Sequence, residues 1–201
     1  MDSDKKIGRP TTMDSNHVLA VARKAYWDNG PLGVSIDKIC VLAGVSKPSV
    51  YREFGSRDRL IAASLEDYFE KYLIPLIESL RIGSSLQHNL MNYGSVEFTQ
   101  KANESGINGC LFVKMYDHLS VLEPISLQKV RDVNSAILIR FEAIVLDAQK
   151  TGGTSSHLRP KVLAAYIHNQ TILIASQRAR GEDPAEIEQL SRMAFSIFNS
   201  D

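Results

Sequence analysis

Residues 35–60, SIDKICVLAGVSKPSVYREFGSRDRL, contain the feature that most restricts the fold of this chain. Ser35 suits the cap of a short amphipathic helix, and Gly44 ends that helix where the chain must turn with positive φ. Pro48 suits the first turn of a second short helix, where its missing N–H costs nothing. Ser56 then caps a longer helix. This order of helix, glycine turn and helix is typical of a helix-turn-helix.

Apolar residues three and four positions apart recur through the rest of the chain and predict further helices. Pro75 is expected to kink or weaken the long helix that follows the helix-turn-helix. The segment 110–119 is ambiguous between helix and strand, and its helical neighbours favour helix. We predict an all-α protein of about nine helices, three in an N-terminal head and six in a C-terminal body. The predicted helices span residues 16–29, 35–44, 47–54, 56–80, 86–102, 110–119, 126–150, 159–180 and 184–199.

Composition places the chain among globular proteins, because 44% of its residues are hydrophobic and its charge is modest. The N-terminus lacks the apolar core of a signal peptide, and no apolar run approaches the ~18 residues of a membrane span. We therefore expect a cytoplasmic protein with no membrane partner. The net charge is zero, yet residues 1–60 hold 10 Lys/Arg and 7 Asp/Glu, against 13 and 16 in the remainder. The N-terminal part thus has the basic excess that phosphate attraction requires.

The helix-turn-helix residues can be compared with known patterns position by position. In order they are Ile39-Cys40, Ala43-Gly44-Val45-Ser46, Val50-Tyr51, Phe54 and Arg57-Asp58-Arg59-Leu60. Together with Asn108-Gly109-Cys110-Leu111-Phe112 further along the chain, they resemble the pattern of TetR-type transcriptional regulators. The specific part of the resemblance covers about residues 9–60. Two positions depart from the pattern: Cys40 replaces the usual alanine, and Glu53 would repel a phosphate unless turned aside.

The resemblance implies a domain organisation and a function. Residues 1–14 would form a flexible arm, residues 15–60 the helix-turn-helix DNA-binding domain, and residues 61–201 a ligand-binding and dimerisation domain. The implied function is a regulator, by family expectation a repressor, that binds a palindromic operator as a dimer. A small molecule in the C-terminal domain would release it. The alternative is a DNA-binding regulator controlled by a protein partner or by abundance, with no small-molecule inducer.

The resemblance also implies which residues approach double-stranded DNA. Residues 48–54 would lie in the major groove, where arginine can bind guanine bidentately and serine is permissive. Residues at helix starts suit phosphate, because free N–H groups point there. The arm either enters a minor groove or makes no contact. The predicted DNA-binding residues are Arg9, Ser35, Ser46, Lys47, Pro48, Ser49, Tyr51, Arg52 and Arg57.

Dimerisation is expected because one short reading helix contacts little DNA. The last two predicted helices have more apolar surface than one body can cover, so they would pair as a four-helix bundle in a homodimer. Burial within a single chain is the alternative. The predicted interface residues are Leu163, Ile167, Ile174, Ile187, Leu190, Ala194, Ile197 and Phe198.

The family's bodies enclose a pocket, and aromatic and methionine side chains of this body would line an apolar one for a small apolar or aromatic ligand. The polar tips of a few residues would orient the ligand. Core packing is the alternative for each of these side chains. The predicted ligand-binding residues are Phe69, Met91, Tyr93, Phe98, Phe112, Met115, Tyr116, His118, Phe141, Tyr166 and Asn169.

An enzyme is disfavoured, because the sequence has no Gly-rich phosphate loop, no His-Glu-x-x-His and no nucleophile elbow. The five histidines are scattered without ligand spacing. We therefore predict no catalytic residues, no metal site and no cofactor. Cys40 and Cys110 are expected to be buried hydrophobic residues, with a redox sensor as the alternative.

Overall fold

The computed structural model describes residues 13–81, 85–93 and 109–199, and every regular element in these ranges is helical. The predicted all-α fold class is therefore confirmed, including the helical assignment of the ambiguous segment 110–119. A π-helical segment at Phe69–Leu73 joins α4 to α5, and short 3₁₀ turns occupy Ser79–Arg81, Leu119–Val121 and Ser196–Phe198. The helices are α1 (Ser15–Asn29), α2 (Ile36–Ala43), α3 (Lys47–Phe54), α4 (Arg57–Tyr68), α5 (Ile74–Glu78), α6 (Leu86–Tyr93), α7 (Leu111–Tyr116), α8 (Pro124–Thr151), α9 (Pro160–Ala179) and α10 (Pro184–Phe195).

The head is formed by α1, α2 and α3, and its helix starts are fixed by side-chain caps. The hydroxyl oxygens of Ser35, Ser46 and Ser56 each accept the N–H of the residue three positions later. Gly44 has a φ of 66°, the left-handed conformation that the turn between α2 and α3 requires. Asp14, assigned by the sequence to the arm, is the cap of α1 and accepts two N–H groups.

The segment 56–80, predicted as one long helix, is helical but not uniform. Pro75 lacks an N–H for the carbonyl of Lys71, and the chain accommodates this with one π-helical turn. The N–H of Ile74 donates to the carbonyl of Phe69, five residues earlier. A proline effect was therefore correctly predicted, and its form is a π segment on the N-terminal side of Pro75.

The body is organised around α8, which packs against α4 and α9. Its buried stripe includes Val130, Val133, Ile137, Phe141 and Ile144, as the period of the sequence predicted. Buried residues of the head and body belong to one continuous apolar cluster. Helix α4 provides the connection, because it packs against both α1 and α8.

Candidate DNA-binding surface and body cavity

Helix α3 presents a narrow polar face to the outside of the head. Val50 is buried below it, whereas Pro48, Tyr51 and Arg52 are exposed. The hydroxyl groups of Ser46 and Ser49 lie 2.8 Å apart at the start of the helix. Of the predicted reading residues on α3, Lys47, Pro48, Tyr51 and Arg52 are exposed and Ser49 is half-buried. Arg52 has the reach and charge to bind a guanine edge or a phosphate.

Two of the predicted contact residues have local partners. The ammonium of Lys47 lies 3.0 Å from a carboxylate oxygen of Asp37 on α2, and the hydrogen bond to that carboxylate raises the pKa of Lys47. Both groups are exposed, so a phosphate can compete with this ion pair. Ser35 accepts the N–H of Lys38 as the cap of α2, and its own O–H is still able to donate to a phosphate.

Arg57 has contacts with the backbone of the head and with the body. Its guanidinium donates to the carbonyl oxygen of Pro31 at 2.5 Å and to that of Val34 at 3.4 Å. It also lies 3.8 Å from a carboxylate oxygen of Glu123 in the body. These contacts fix the position of its side chain, which is 30% exposed. DNA contact by Arg57 stays a prediction. Arg9 lies outside the described residues.

Glu53 is the acid that sequence reasoning found awkward next to DNA. Its carboxylate accepts the hydroxyl of Ser15, at 2.6 Å, from the first residue of α1. The side chain is therefore turned toward the start of α1 although it remains exposed. As a residue of α3, Glu53 still places a negative charge on this helix.

A cavity of about 90 Å³ lies where the head meets the body. Its walls come from α1, from the α4–π–α5 path, and from α6, α7, α8 and α9. Most of its lining is apolar and much of it is aromatic. The lining residues are Trp27, Tyr68, Tyr72, Leu73, Leu76, Ile77, Tyr93, Gly109, Cys110, Phe112, Val113, Ile137, His168, Thr171, Ile172, Ile174, Ala175 and Arg178.

Of the predicted ligand-binding residues, Tyr93 and Phe112 line this cavity. Phe141 is fully buried behind it, and its ring lies 6.4 Å from that of Tyr93. The sequence missed Tyr68 and Tyr72, although their four-residue spacing places them on one helix face, and it named the neighbouring Phe69 instead. Phe69 packs beneath the guanidinium of Arg140, 5.3 Å from its ring centre.

The other predicted pocket residues lie elsewhere, and their assignments are corrected. His118 and Asn169 are exposed, and the ring of His118 bonds to the carbonyl of Lys114. Tyr166 donates to the carbonyl of Ala194 at 2.8 Å, which directs it toward α10. Away from the cavity wall, Met115 is fully buried, while Met91 and Tyr116 pack at the edge of the core. Phe98 lies outside the described residues.

Two polar groups of the cavity wall are held in their neutral forms. Nε2 of His168 lies 2.7 Å from Oδ1 of Asn134, and desolvation lowers the pKa of His168 to about 4. The hydroxyl of Tyr68 donates to the sulfur of Cys110 at 3.4 Å. Burial raises the pKa of the Cys110 thiol, so this thiol is protonated at neutral pH, which disfavours a thiolate-based sensor.

The predicted dimer residues divide into two groups. Leu163, Ile167 and Ile174, together with Ile187 and Phe198, are at most 5% exposed within the single chain. These five face their own core, so their assignment to the interface is corrected. Helical periodicity identified two apolar faces on α9 and could not tell which one a single chain covers. Ala194 is half-buried, whereas Leu190 and Ile197 are exposed.

The outer faces of α9 and α10 nevertheless include exposed apolar residues. Met193 is 72% exposed, and Val162 and Leu173 are each almost half exposed. With Leu190 and Ile197 they form a surface that we call the α9–α10 face.

No group of three potential metal-binding side chains occurs in the ranges 13–81, 85–93 and 109–199. None of the helices in the described part of the chain combines the length and apolar character that crossing a membrane requires.

Comparison with known proteins matches the N-terminal part of this chain to a family of regulatory proteins. A sequence model described as "Bacterial regulatory proteins, tetR family" matches residues 18–64, which cover α2, α3 and parts of α1 and α4. The transcriptional repressor ComR of Escherichia coli (strain K12) is 29% identical over 68 residues, or 34% of this chain and 32% of ComR. The repressor BdcR of the same strain is 24% identical over 107 residues, or 53% of this chain and 54% of BdcR. The chain thus spans between a third and about half of the length of these relatives.

Residues 18–64 carry the N-terminal sequence pattern of the TetR family. The likeness extends to the body at the level of the fold. A cysteine mutant of the TetR-family regulator CifR, complexed with 26-bp double-strand operator DNA, superposes with a TM-score of 0.76 and 18% identity. The match covers 95% of this chain and all of that one. The chain therefore has the fold of TetR-type regulators. ComR and BdcR, which match parts of its sequence, are transcriptional repressors.

Proposed function

We propose that this chain is a TetR-type, ligand-responsive repressor that binds a palindromic operator as a homodimer. The observation that carries the proposal is the outward face of α3. Tyr51 and Arg52 are exposed there and Ser49 is half-buried, while Val50 packs into the core and fixes the orientation of the helix. In a helix-turn-helix, the first residues of the second helix reach base edges in the major groove. We assign base or phosphate contacts to Lys47, Ser49, Tyr51 and Arg52, and phosphate contact to the start of α3.

The α9–α10 face is the proposed dimer interface. It contains Met193 with Val162, Leu173, Leu190 and Ile197, all on the outer sides of two adjacent helices. Contiguous apolar surface of this kind mediates association. A two-fold axis through this face would pair α9 and α10 with their copies as a four-helix bundle.

The cavity supports control by a small molecule over control by abundance alone. Its wall includes Trp27 of the proposed DNA-binding domain, residues 15–60, and Phe112 and His168 of the proposed ligand-binding and dimerisation domain, residues 61–201. A ligand that binds one arrangement of these domains better than another shifts the population of DNA-competent molecules.

Selection of bound duplexes from a random pool tests the proposal. The expected result is enrichment of an inverted repeat whose half-sites lie about one helical turn apart, or a multiple of it. An Arg52→Ala variant should enrich nothing in the same pool. Failure of the natural chain to enrich any sequence would contradict DNA recognition.

A further inference from the structure

The cavity is built from the DNA-binding head as well as from the body. Trp27, on the last part of α1, is 4% exposed and forms one wall. Its ring centre lies 4.7 Å from that of Tyr68 and 5.1 Å from that of Tyr72. The two tyrosine rings stack on each other at 5.4 Å. Phe112 and His168 complete a lining dominated by flat rings.

Several polar groups of this wall already have partners. The indole N–H of Trp27 donates to the carbonyl of Gly109 at 2.8 Å. The hydroxyl of Thr171 donates to the carbonyl of His168, and the hydroxyl of Tyr68 donates to Cys110. Arg178 is the charged residue of the lining, and it has an interaction partner of its own. These donors are therefore already engaged, and much of the rest of the described wall consists of the faces and edges of aromatic rings.

We propose that this cavity takes a neutral, planar aromatic ring, which acts on the DNA-binding head directly by contact with Trp27. The inference rests on the proposed function and names the ligand class of its site. The cavity volume of about 90 Å³ is of the same order as the roughly 150 Å³ of an apolar cavity that binds benzene. Ring–ring contacts add about 0.5–1.5 kcal/mol beyond burial of area, which selects a flat ring over a saturated one.

Movement of Trp27 is transmitted to the end of α1. The ammonium of Lys114 on α7 donates to the carbonyl oxygen of Trp27 at 2.5 Å and to that of Asp28 at 3.3 Å. A ring that enters against Trp27 therefore changes how the last turn of α1 is held by the body. Because α1 packs against α2 and α4, the position of the reading helix changes with it.

Trp27 also supplies the measurement, since it is the single tryptophan of the chain. Bromobenzene quenches tryptophan emission by contact, and bromocyclohexane carries the same bromine on a saturated ring. We expect saturable quenching of the full chain by bromobenzene, at a half-saturation concentration about 3- to 10-fold lower than for bromocyclohexane. Equal concentrations for the two probes, or non-saturable quenching, would overturn the proposal. So would tighter binding of 4-bromobenzoate, which would indicate an anion site.

Two variants separate the cavity from the surface. Ala175→Phe fills the cavity from α9 and is expected to abolish saturable quenching, whereas Ala185→Phe places the same ring on the exposed start of α10 and should not. On DNA selected from the random pool, bromobenzene should lower the affinity of the natural chain about 5-fold or more. Bromobenzene should not change the DNA affinity of the Ala175→Phe variant.

The outcomes distinguish the inference from the proposed function. If no DNA is selected, the proposed function fails, and the quenching comparison still decides the ligand class. If bromobenzene binds saturably but leaves DNA affinity unchanged, direct action on the head through Trp27 is contradicted.

Discussion

The carboxylate of Asp58, at the start of α4, accepts the backbone N–H of Ser126, at the start of α8, at 2.8 Å. Its second oxygen accepts the N–H of Ile125 at the same distance. Asp58 is buried, and Glu123, the cap residue of α8, makes no capping bond with its own side chain. A head-side residue therefore caps the central helix of the body, where a negative charge also suits the helix start.

Asp58→Asn should destabilise the fold. The amide keeps one acceptor oxygen and presents an N–H to a backbone N–H, so one buried donor loses its partner at a cost of about 1–3 kcal/mol. Urea unfolding of Asp58→Asn measures this loss. Asp132→Asn, an exposed change on α8, should stay within about 0.5 kcal/mol. Equal stabilities for the two variants would show that Asp58 does not hold α8.

Glu53→Gln should strengthen DNA binding. The change removes a negative charge from the DNA-facing side, while the amide oxygen can still accept the hydroxyl of Ser15. We expect affinity for the selected duplex to rise about 2- to 5-fold, as for other exposed single charges, and the gain to shrink with salt. Fluorescence anisotropy at two salt concentrations measures it. Glu188→Gln, which makes the same charge change on α10, is the control, and an equal gain there would refute a local effect.

Met193→Glu should weaken dimerisation. Met193 is 72% exposed in the single chain, so a charge there leaves the monomer fold intact and places two like charges near the proposed two-fold axis. Sedimentation velocity should show a shift from dimer to monomer. Ile139→Glu changes a residue of similar exposure on α8 and should remain dimeric. If Ile139→Glu alone dissociates, the interface lies on α8 instead.

Stability should depend on pH through His168. Its pKa falls from an ordinary value of 6.5 to about 4 in the folded chain because of desolvation. Between these values the unfolded chain binds a proton that the folded chain does not, so this contribution is complete above pH 6.5 and is lost as pH falls toward 4. The loss is roughly 3 kcal/mol over the window.

Urea unfolding at pH 7 and pH 4.5 measures the His168 effect by comparison with His168→Gln. The natural chain should lose more stability than the variant, because other titrating groups are common to both. His157→Gln removes an exposed histidine and should behave like the natural chain. If the stability of the natural chain and that of the His168→Gln variant changed equally with pH, a buried neutral histidine at position 168 would be excluded.

Gly109→Ala should cost more than Gly152→Ala. Both glycines have positive φ, 89° and 74°, but an added Cβ at Gly109 would lie 2.9 Å from Cβ of Ala179, whereas Gly152 has open space. The two variants share a backbone cost of roughly 1–2 kcal/mol, and the contact with Ala179 adds to the cost of Gly109→Ala. Gly109→Ala should also shift the emission of Trp27, whose indole binds the Gly109 carbonyl. Equal unfolding energies and unchanged emission would contradict this packing.

Local chemistry made the head predictable from sequence. Ser35, Ser46 and Gly44 act on residues within five positions of themselves, so their roles follow from order along the chain. The bonds of Asp58 and Arg57 cross 67 and 26 positions, and only the folded packing brings those partners together.

The lining of the cavity and the exposed apolar residues of α9 and α10 were predicted only in part, because both depend on how the helices pack. Phe112 and Tyr93 were identified as apolar body residues, but Trp27 belongs to a helix assigned to the head. A periodic pattern marks Ile167 and Leu173 alike as apolar. The packing of α8 against α9 decides that Ile167 is buried and Leu173 exposed.

The most direct test of a dimeric DNA reader is the number of chains bound to the selected duplex. Sedimentation or native mass measurement should give two chains on a duplex with both half-sites. Destroying one half-site should lower affinity by about 100-fold or more, which is part of the factor of about 10³–10⁷ that separates specific from non-specific binding. One chain bound per duplex, with the same affinity for one half-site as for two, would contradict the account.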